Sequence, residues 1–234
     1  MKYLLLFIST FTFAQQTKSV DFTTVQGKIT VNPIDKSISG AVSYWFEVLK
    51  PIDTIKIDAQ NMEFSEVELN QKGIQFINTK KKMVLIADFK KGKNNISFNY
   101  TVKPKQALYF IGSEEKDNVQ IWTQGQGRYI SNWFPSFDDV NEKVIFNMEV
   151  VVDSKYQVIA NGVLSSKMNN DSKTYWRFNM QKPMSSYLLM LGIGKFDKQT
   201  LHSNSGIPLE LYYEPKDKSK WEPTYRYSKE LFDF

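Results

Sequence analysis

From about Thr23 onward, apolar and polar side chains alternate with a period of two, which is the spacing of β-strands and not of helices. Between Ile38 and Val48, every second residue is apolar or glycine. The same alternation recurs in Met83–Phe89, Ile96–Val102, Val144–Val152, Thr174–Met180 and Ile207–Tyr213. A strand of this kind buries one face and leaves the other for water or a second layer. The pattern predicts an all-β fold, a large antiparallel sandwich or saddle-like sheet assembly.

Turn-forming residues separate these strands. They include Asn32-Pro33, Lys91-Gly92, Asn161-Gly162 and Ser205-Gly206. Asn-Gly favours the positive backbone angles of a tight hairpin turn. The run Lys80–Lys82 lies between two alternating segments, and we expect it at a solvated hairpin tip.

The N-terminus has the features of an export signal. Lys2 precedes an apolar run, Tyr3–Phe13, and the small residues Thr12 and Ala14 occupy the positions that precede a cleavage site. We therefore expect residues 1–14 to be a signal peptide, the mature chain to begin at Gln15, and the protein to be periplasmic or secreted. A buried first strand is the alternative. The run is shorter than the roughly 20 residues of a spanning helix, and no later segment is long enough, so no membrane span is expected.

Two residue types limit the chemistry that this chain can perform. Cysteine is absent, which excludes disulfides, a thiol nucleophile and Cys-based metal sites. The single histidine, His202, is expected in an exposed loop and cannot form a zinc site with a second imidazole. We therefore expect no cofactor and no metal site in this chain alone. The 30 basic and 25 acidic residues are scattered without a basic stripe, so nucleic acid is not an expected partner.

The last segment has a different period. Glu222-Pro223 is followed by Tyr227, Leu231 and Phe234, which have the i, i+4, i+7 spacing of a helical apolar face. The spacing predicts a helix that begins after Pro223.

The segment from Trp122 to Asp139 reads W-T-Q-G-Q-G-R-Y-I-S-N-W-F-P-S-F-D-D. It resembles the N-terminal-domain signature of the aminopeptidase N family of zinc metallopeptidases. The matching residues are Thr123, Gln124 and Gln126 at its T-Q-x-[EQ] start, then Phe134-Pro135, Phe137-Asp138 and the strand Val144–Phe146. Further matches follow in order at Val158–Gly162, Lys182–Leu189 and Gly206–Leu211, so the resemblance covers the mature chain.

Several positions depart from the family signature. Ser131 and Asn132 replace its usual arginines, Ser136 its cysteine, and Asp139-Val140 its Glu-Pro. The motifs W-T-Q-G and W-F-P are similar to those of a bacterial branch of the family.

The resemblance implies a division of the chain. Residues 15–216 correspond to the family's N-terminal β domain, and residues 217–234 to a linker and the start of the first catalytic-domain helix. The family's zinc-binding motifs, G-x-M-E-N and H-E-x-x-H, lie in that catalytic domain and are absent from this sequence. The implied partners are therefore the catalytic domain of the same protein and the N-terminus of a peptide substrate.

The resemblance also implies substrate-binding residues, although it assigns no catalytic ones. The family residue corresponding to Gln126 contacts the α-ammonium of the substrate, and the one corresponding to Gln124 lines the first substrate pocket. An amide oxygen can accept a hydrogen bond from an ammonium without the full charge attraction of a carboxylate. The alternative for both residues is a polar loop.

Other candidate residues have simpler explanations. Asp138 and Asp139 are adjacent, so in an extended chain they point to opposite sides and are expected to form a turn instead of an acid–base pair. Trp45, Trp122, Trp133 and Trp176 lie in apolar alternations and are expected in the core.

Two classes of function follow. The first is the N-terminal, substrate-anchoring domain of a secreted zinc-dependent aminopeptidase, present as a fragment or truncated form that is inactive alone. The second is a stand-alone secreted β-sandwich that acts as a binding or interaction module without catalysis. The reading frame downstream of Phe234 distinguishes them, because only the first predicts G-x-M-E-N and H-E-x-x-H there.

Overall fold

The computed structural model describes residues 16–117 and 119–234, so the predicted signal peptide lies outside the described residues. The strands are β1 (Val20–Asn32), β2 (Ser37–Val48), β3 (Ile52–Asp58), β4 (Glu63–Leu69), β5 (Lys72–Gly73), β6 (Gln75–Asn78), β7 (Lys82–Phe89), β8 (Gly92–Val102), β9 (Leu108–Ile111), β10 (Gln120–Thr123), β11 (Lys143–Asp153), β12 (Gln157–Ala160), β13 (Val163–Asn170), β14 (Lys173–Asn179), β15 (Met184–Ser185), β16 (Leu191–Gly194), β17 (Asp197–His202) and β18 (Pro208–Tyr213). The helices are α1 (Lys218–Tyr225) and α2 (Ser228–Asp233), and 3₁₀ turns span Gln16–Lys18, Glu114–Lys116, Ile130–Asn132, Ser186–Leu188 and Pro215–Asp217.

One large sheet organises the fold. Its strands are ordered β13-β14-β11-β1-β2-β8-β4-β5, with β15 paired to β11. Smaller sheets are formed by β12-β16-β10-β9, by β3-β7-β6 and by the hairpin β17-β18. The predicted all-β fold is confirmed. The pairing of β1 with β11 is parallel, which the expectation of an antiparallel assembly did not include.

The alternation of the sequence corresponds to alternating burial. In β2, Ile38, Val42, Tyr44, Phe46 and Val48 are buried, while Ala41 and Trp45 on the other face are exposed. The inward faces of the large sheet and of the four-stranded and three-stranded sheets contribute to a single apolar cluster. Aromatic rings interlock within it, for example Phe22 with Phe137 at a centroid distance of 4.3 Å. Burial of these apolar side chains stabilises the layered fold.

Two buried tyrosines fix the segment Trp133–Phe137 beneath the large sheet. The Tyr44 hydroxyl donates to the carbonyl of Pro135 at 2.6 Å, and the Tyr100 hydroxyl donates to the carbonyl of Trp133 at 3.0 Å. Burial raises the pKa of both phenols well above the usual value, so both remain hydrogen-bond donors. These bonds satisfy polar groups inside an apolar cluster, where an unpaired group would be destabilising.

The C-terminal segment differs from its prediction. The helical structure begins at Pro215, before Pro223, and consists of two short helices, with Pro223 inside α1. Tyr227 lies between the two helices, and Leu231 and Phe234 are exposed, so the expected apolar face is not buried here. Proline lacks the backbone N–H of a helix interior, and α1 ends two residues after it. In the part of the chain that the structure describes, no helix is long and apolar enough to span a membrane.

Candidate functional site

The predicted site residues lie in a loop that follows β10. This strand lies between β9 and β16 in the four-stranded sheet. At its end, Gln124 N–H donates to the carbonyl of Ala107 at 2.8 Å, and Thr123 Oγ1 accepts from the N–H of Leu191 at 3.0 Å. The base of the loop is therefore attached to both neighbouring parts of the sheet.

Gly125 brings the loop into close contact with the segment that follows β15. A Cβ atom at this position would lie 2.4 Å from Ile130 Cδ1 and 2.6 Å from the carbonyl oxygen of Tyr187. Only a residue without a side chain fits between them. The next glycine, Gly127, has φ +88°, and Arg128 has φ +72°. These left-handed residues turn the chain immediately after Gln126.

The structure places Gln124 and Gln126 on the same loop, and both are exposed. Neither side-chain amide has a hydrogen-bond partner among the described residues. By contrast, Gln120 of β10 donates its side-chain amide to Glu214. The two predicted residues thus present free amide donors and acceptors on a loop whose backbone is held by contacts to Ala107, Ile130 and Tyr187.

A network of polar and charged side chains links the chain just beyond this loop to β3 and β7. Asp138 accepts a hydrogen bond from Ser131 Oγ at 3.1 Å, and its own N–H donates to Asp58 Oδ2 at 2.9 Å. Lys82 forms an ion pair with Asp58, with a distance of 2.7 Å between Nζ and Oδ1. Burial and the neighbouring Asp58 raise the pKa of Asp138 to about 6. Ser131, one of the departures from the signature, is fully buried in this network.

Asp138 and Asp139 do not form a pair. Asp139 Oδ1 accepts from the N–H of Asn141 at 3.0 Å, as expected for a turn-forming aspartate. The turn leads to Glu142, a buried carboxylate that accepts from the N–H of Phe22 at 3.1 Å. Burial, together with the charges of Asp21 and Asp139, raises the pKa of Glu142 to about 7. Sequence analysis did not identify Glu142 or Asp58, because their partners are distant in sequence.

The described residues do not fit a zinc site. His202 is exposed at the end of β17, so it lies in a strand and not in the expected loop. No group of three or more His, Asp or Glu side chains in ranges 16–117 and 119–234 is placed to hold a metal ion.

Exposed apolar side chains occur on the strands and turns that flank the loop. The Trp122 ring is 41% exposed and lies 5.3 Å from that of Tyr109 on the neighbouring strand. Other exposed members are Ile111, Tyr129, Tyr187, Leu188 and Met190. The expectation that the tryptophans lie in the core is confirmed for Trp133 and Trp176 but wrong for Trp122 and Trp45, which occupy outward positions of their strands.

Comparison with known proteins identifies the family. The model of the Peptidase M1 N-terminal domain matches residues 22–188, which include the loop and the network around it. The chain belongs to the M1 peptidase family. The resemblance to the aminopeptidase N family is thereby confirmed at the level of its N-terminal domain, whereas the bacterial branch stays a prediction.

Several relatives of this chain are named aminopeptidases. Bovine (Bos taurus) glutamyl aminopeptidase is 33% identical over 103 residues, which are 43% of this chain and 11% of the relative. Leucyl aminopeptidase of Saccharolobus solfataricus is 26% identical over 146 residues, 62% of this chain and 19% of the relative. This M1 chain therefore spans less than a fifth of the length of these curated relatives.

A solved structure shares the fold. The M1 zinc metallopeptidase of Deinococcus radiodurans has a TM-score of 0.73 with 15% sequence identity, over 84% of this chain and 48% of the other. At this identity the likeness supports the architecture of the M1 domain and not a particular activity.

Proposed function

We propose that this chain is the N-terminal, substrate-anchoring domain of an exported zinc-dependent aminopeptidase that releases N-terminal residues from peptides. In this proposal residues 1–14 direct export, residues 15–216 form the β domain, and residues 217–234 lead into a catalytic domain of the same protein. That catalytic domain would hold the zinc ion, since the described residues of this chain do not fit a zinc site. Membership of the M1 family and the aminopeptidase relatives support the proposal.

Gln126 carries the proposal. Its amide is exposed and unpartnered among the described residues, at the turn of a loop whose backbone is held between Ile130 and Tyr187. The amide oxygen is available to accept a hydrogen bond from the α-ammonium of a peptide. A fixed position for that group would place the first peptide bond, and no other, at the reacting centre.

Gln124 has a second role in the proposal. Its backbone is bonded to Ala107, so its exposed side chain extends from a fixed point at the end of β10. We assign it to the wall of the pocket for the first side chain of the substrate.

The exposed apolar patch supports a contact with the catalytic domain. By their register, Tyr109 and Trp122 are paired on adjacent strands and face the same side of their sheet, and Ile111 shares that face. Leu188 and Met190 add exposed apolar surface beside the loop. Exposed apolar surface of this kind is typical of interaction sites. The proposed occupant is the catalytic domain of the same protein, with the amides of Gln124 and Gln126 at the edge of the contact.

The test replaces Gln126 in the complete enzyme. Gln126→Ala is expected to reduce kcat/KM for substrates with a free α-ammonium by about 10- to 150-fold, because a hydrogen bond to a charged group contributes about 1.5–3 kcal/mol. Gln199→Ala is the matched control, since Gln199 is also exposed but lies on β17. The measurement is steady-state kinetics on the zinc-loaded enzyme, with zinc content determined for each variant.

Gln126→Glu sharpens the test. A carboxylate opposite the ammonium is expected to retain or improve recognition. A kcat/KM for Gln126→Ala within about twofold of the wild type would assign Gln126 to a polar loop and remove the link between this domain and the substrate.

A further inference from the structure

A second candidate site lies on the outer face of the large sheet, away from the Gln126 loop. A groove of about 860 Å³ crosses this face from β13 and β14 to β4. Its volume is within the range of small-ligand sites. Because the opposite face of the same strands forms the core, the floor of the groove rests on a rigid support.

Strand register aligns polar side chains across the floor of the groove. One row consists of Asn147, Gln26, Ser43, Ser97 and Glu68, which are paired neighbours on β11, β1, β2, β8 and β4. The adjacent row consists of Arg177, Glu149, Lys28, Ala41 and Asn99. Hydrogen-bonding groups are therefore repeated at the spacing of adjacent strands.

The central charges of the groove are paired with one another. Glu149 accepts from Arg177 Nε and forms an ion pair with Lys28, at 3.1 Å between Oε1 and Nζ. At the β4 side, Asn99 Nδ2 donates to Glu66 Oε2 at 2.7 Å. A charged ligand would have to compete with these contacts at the centre, whereas a neutral ligand would not.

Uncharged groups in the groove have unused hydrogen-bonding capacity. The side chains of Gln26, Ser43 and Ser97 have no partner among the described residues. Ser166 Oγ lies in the groove wall and is buried without a partner. Because this oxygen has no accessible surface, the groups open to a ligand are those of Gln26, Ser43 and Ser97. The groove thus offers amide and hydroxyl donors together with amide and carboxylate acceptors.

An exposed aromatic ring lies on the same face of the sheet, next to the residues that line the groove and not among them. Trp45 is two residues from Ser43 on β2, so both side chains lie on the same face of the sheet, and Trp45 is 38% exposed. An exposed indole offers a flat apolar surface on which a ring with axial C–H groups can stack.

We propose that this groove binds a neutral oligosaccharide, with a sugar ring stacked on Trp45 and hydroxyls bonded to Gln26, Ser43, Ser97 and the carboxylates at the β4 side. The paired charges favour a neutral ligand, and the many neutral donors and acceptors match a polyol. An extended peptide is a poorer match, because the backbone groups of these central strands are already bonded within the sheet and are not free to pair with it.

The test titrates the purified chain with neutral tetrasaccharides built from glucose, mannose, galactose or N-acetylglucosamine, using calorimetry and amide-resolved NMR. A sulfated tetrasaccharide and an uncharged tetrapeptide are the comparison probes. At least one neutral tetrasaccharide is expected to bind with a millimolar or lower Kd and to shift the amide signals of β1, β2 and β8. Trp45→Ala and Gln26→Ala are each expected to weaken binding by about fivefold, the effect of losing about 1 kcal/mol.

Trp122→Ala is the matched control, because Trp122 has nearly the same exposure as Trp45 but lies on another sheet. It is expected to leave binding unchanged. Circular dichroism of each variant verifies that it is folded. The proposal is overturned if no neutral tetrasaccharide binds at millimolar concentration, if the sulfated probe or the tetrapeptide binds more tightly, or if Trp122→Ala weakens binding as much as Trp45→Ala.

Discussion

Two consecutive parts of the family signature have opposite environments. Residues Trp133–Phe137 are buried, and hydroxyls of Tyr44 and Tyr100 bond to their backbone carbonyls. Residues 124–129, immediately before the 3₁₀ turn, have exposed side chains apart from the half-buried Gly125. The signature therefore combines a buried anchor, Trp133–Phe137, with an exposed loop, residues 124–129. The anchor fixes the point at which the loop leaves the core.

The two segments differ in burial because their side chains have different contacts. Phe134 lies against Tyr100 and Phe146, with ring centroids at 6.2 and 6.3 Å, so its side chain is surrounded by core. The side chain of Gln126 contacts no hydrogen-bond partner among the described residues, and only the backbone of its loop is held. Changes in the anchor should therefore affect stability, and changes at the tip of the loop should affect function.

The largest effect is expected in the anchor. Phe134→Ala should destabilise the chain by about 3–5 kcal/mol, because it removes a fully buried aromatic ring and leaves a cavity. Phe232→Ala removes the same side chain from an exposed position and should change the free energy of unfolding by no more than about 0.5 kcal/mol. Urea denaturation of both variants is the measurement. A loss below about 1 kcal/mol for Phe134→Ala would contradict the role of this segment as an anchor.

The next largest effect is a pH dependence of stability. The folded-state pKa of Glu142 is raised to about 7 and that of Asp138 to about 6, above their unfolded values. The stability associated with their protonation is fully present below the unfolded pKa values and is lost as pH rises through the folded ones. Between about pH 5 and pH 8 the chain should therefore lose on the order of 2 kcal/mol of stability.

Glu142→Gln removes the larger of the two contributions to this pH dependence of stability. It should flatten the pH profile and stabilise the chain at pH near 8, because the amide oxygen can still accept from Phe22 N–H without an ionised group in the core. Glu115→Gln, at an exposed glutamate, should leave the profile unchanged. The measurement is thermal unfolding of each variant across this pH range. A wild-type stability that increases toward pH 8 would show that burial of Glu142 is not the dominant effect.

The sequence predicted the positions of strands more reliably than it predicted which strands pair or which side chains are in contact. Alternation in Ile38–Val48 and Ile96–Val102 corresponds to β2 and β8, because side-chain period alone determines which face is buried. The parallel pairing of β1 with β11 was not predicted, since periodicity does not specify the neighbour of a strand. The same limit applies to Asp58, whose partner Asp138 is 80 positions away.

Helical spacing was less informative at the C-terminus. Tyr227, Leu231 and Phe234 have the spacing of a helical apolar face. Such a face is buried only where the helix packs against other apolar side chains. Here no residue of α2 is buried, and Asp233 Oδ1 accepts a hydrogen bond from Asn204 N–H at 2.6 Å. For the loop, the family resemblance identified Gln124 and Gln126. Only the structure shows that their side-chain amides are exposed and have no hydrogen-bond partner among the described residues.

An effect no larger than that in the anchor is expected at the junction between anchor and loop. Gly125→Ala places a methyl group 2.4 Å from Ile130 Cδ1 and 2.6 Å from the Tyr187 carbonyl oxygen, and a backbone atom cannot move as a side-chain end can. Overpacking of this kind destabilises by about 1–3 kcal/mol. Gly73→Ala is the matched control, because no atom lies within 4 Å of a Cβ there, and it should be neutral within about 0.5 kcal/mol. In the complete enzyme, Gly125→Ala should also raise KM, since the loop that presents Gln126 is displaced from Tyr187. If Gly125→Ala matched Gly73→Ala in both stability and KM, the loop would not be fixed by this contact, and the position of Gln126 would have to depend on the ligand itself.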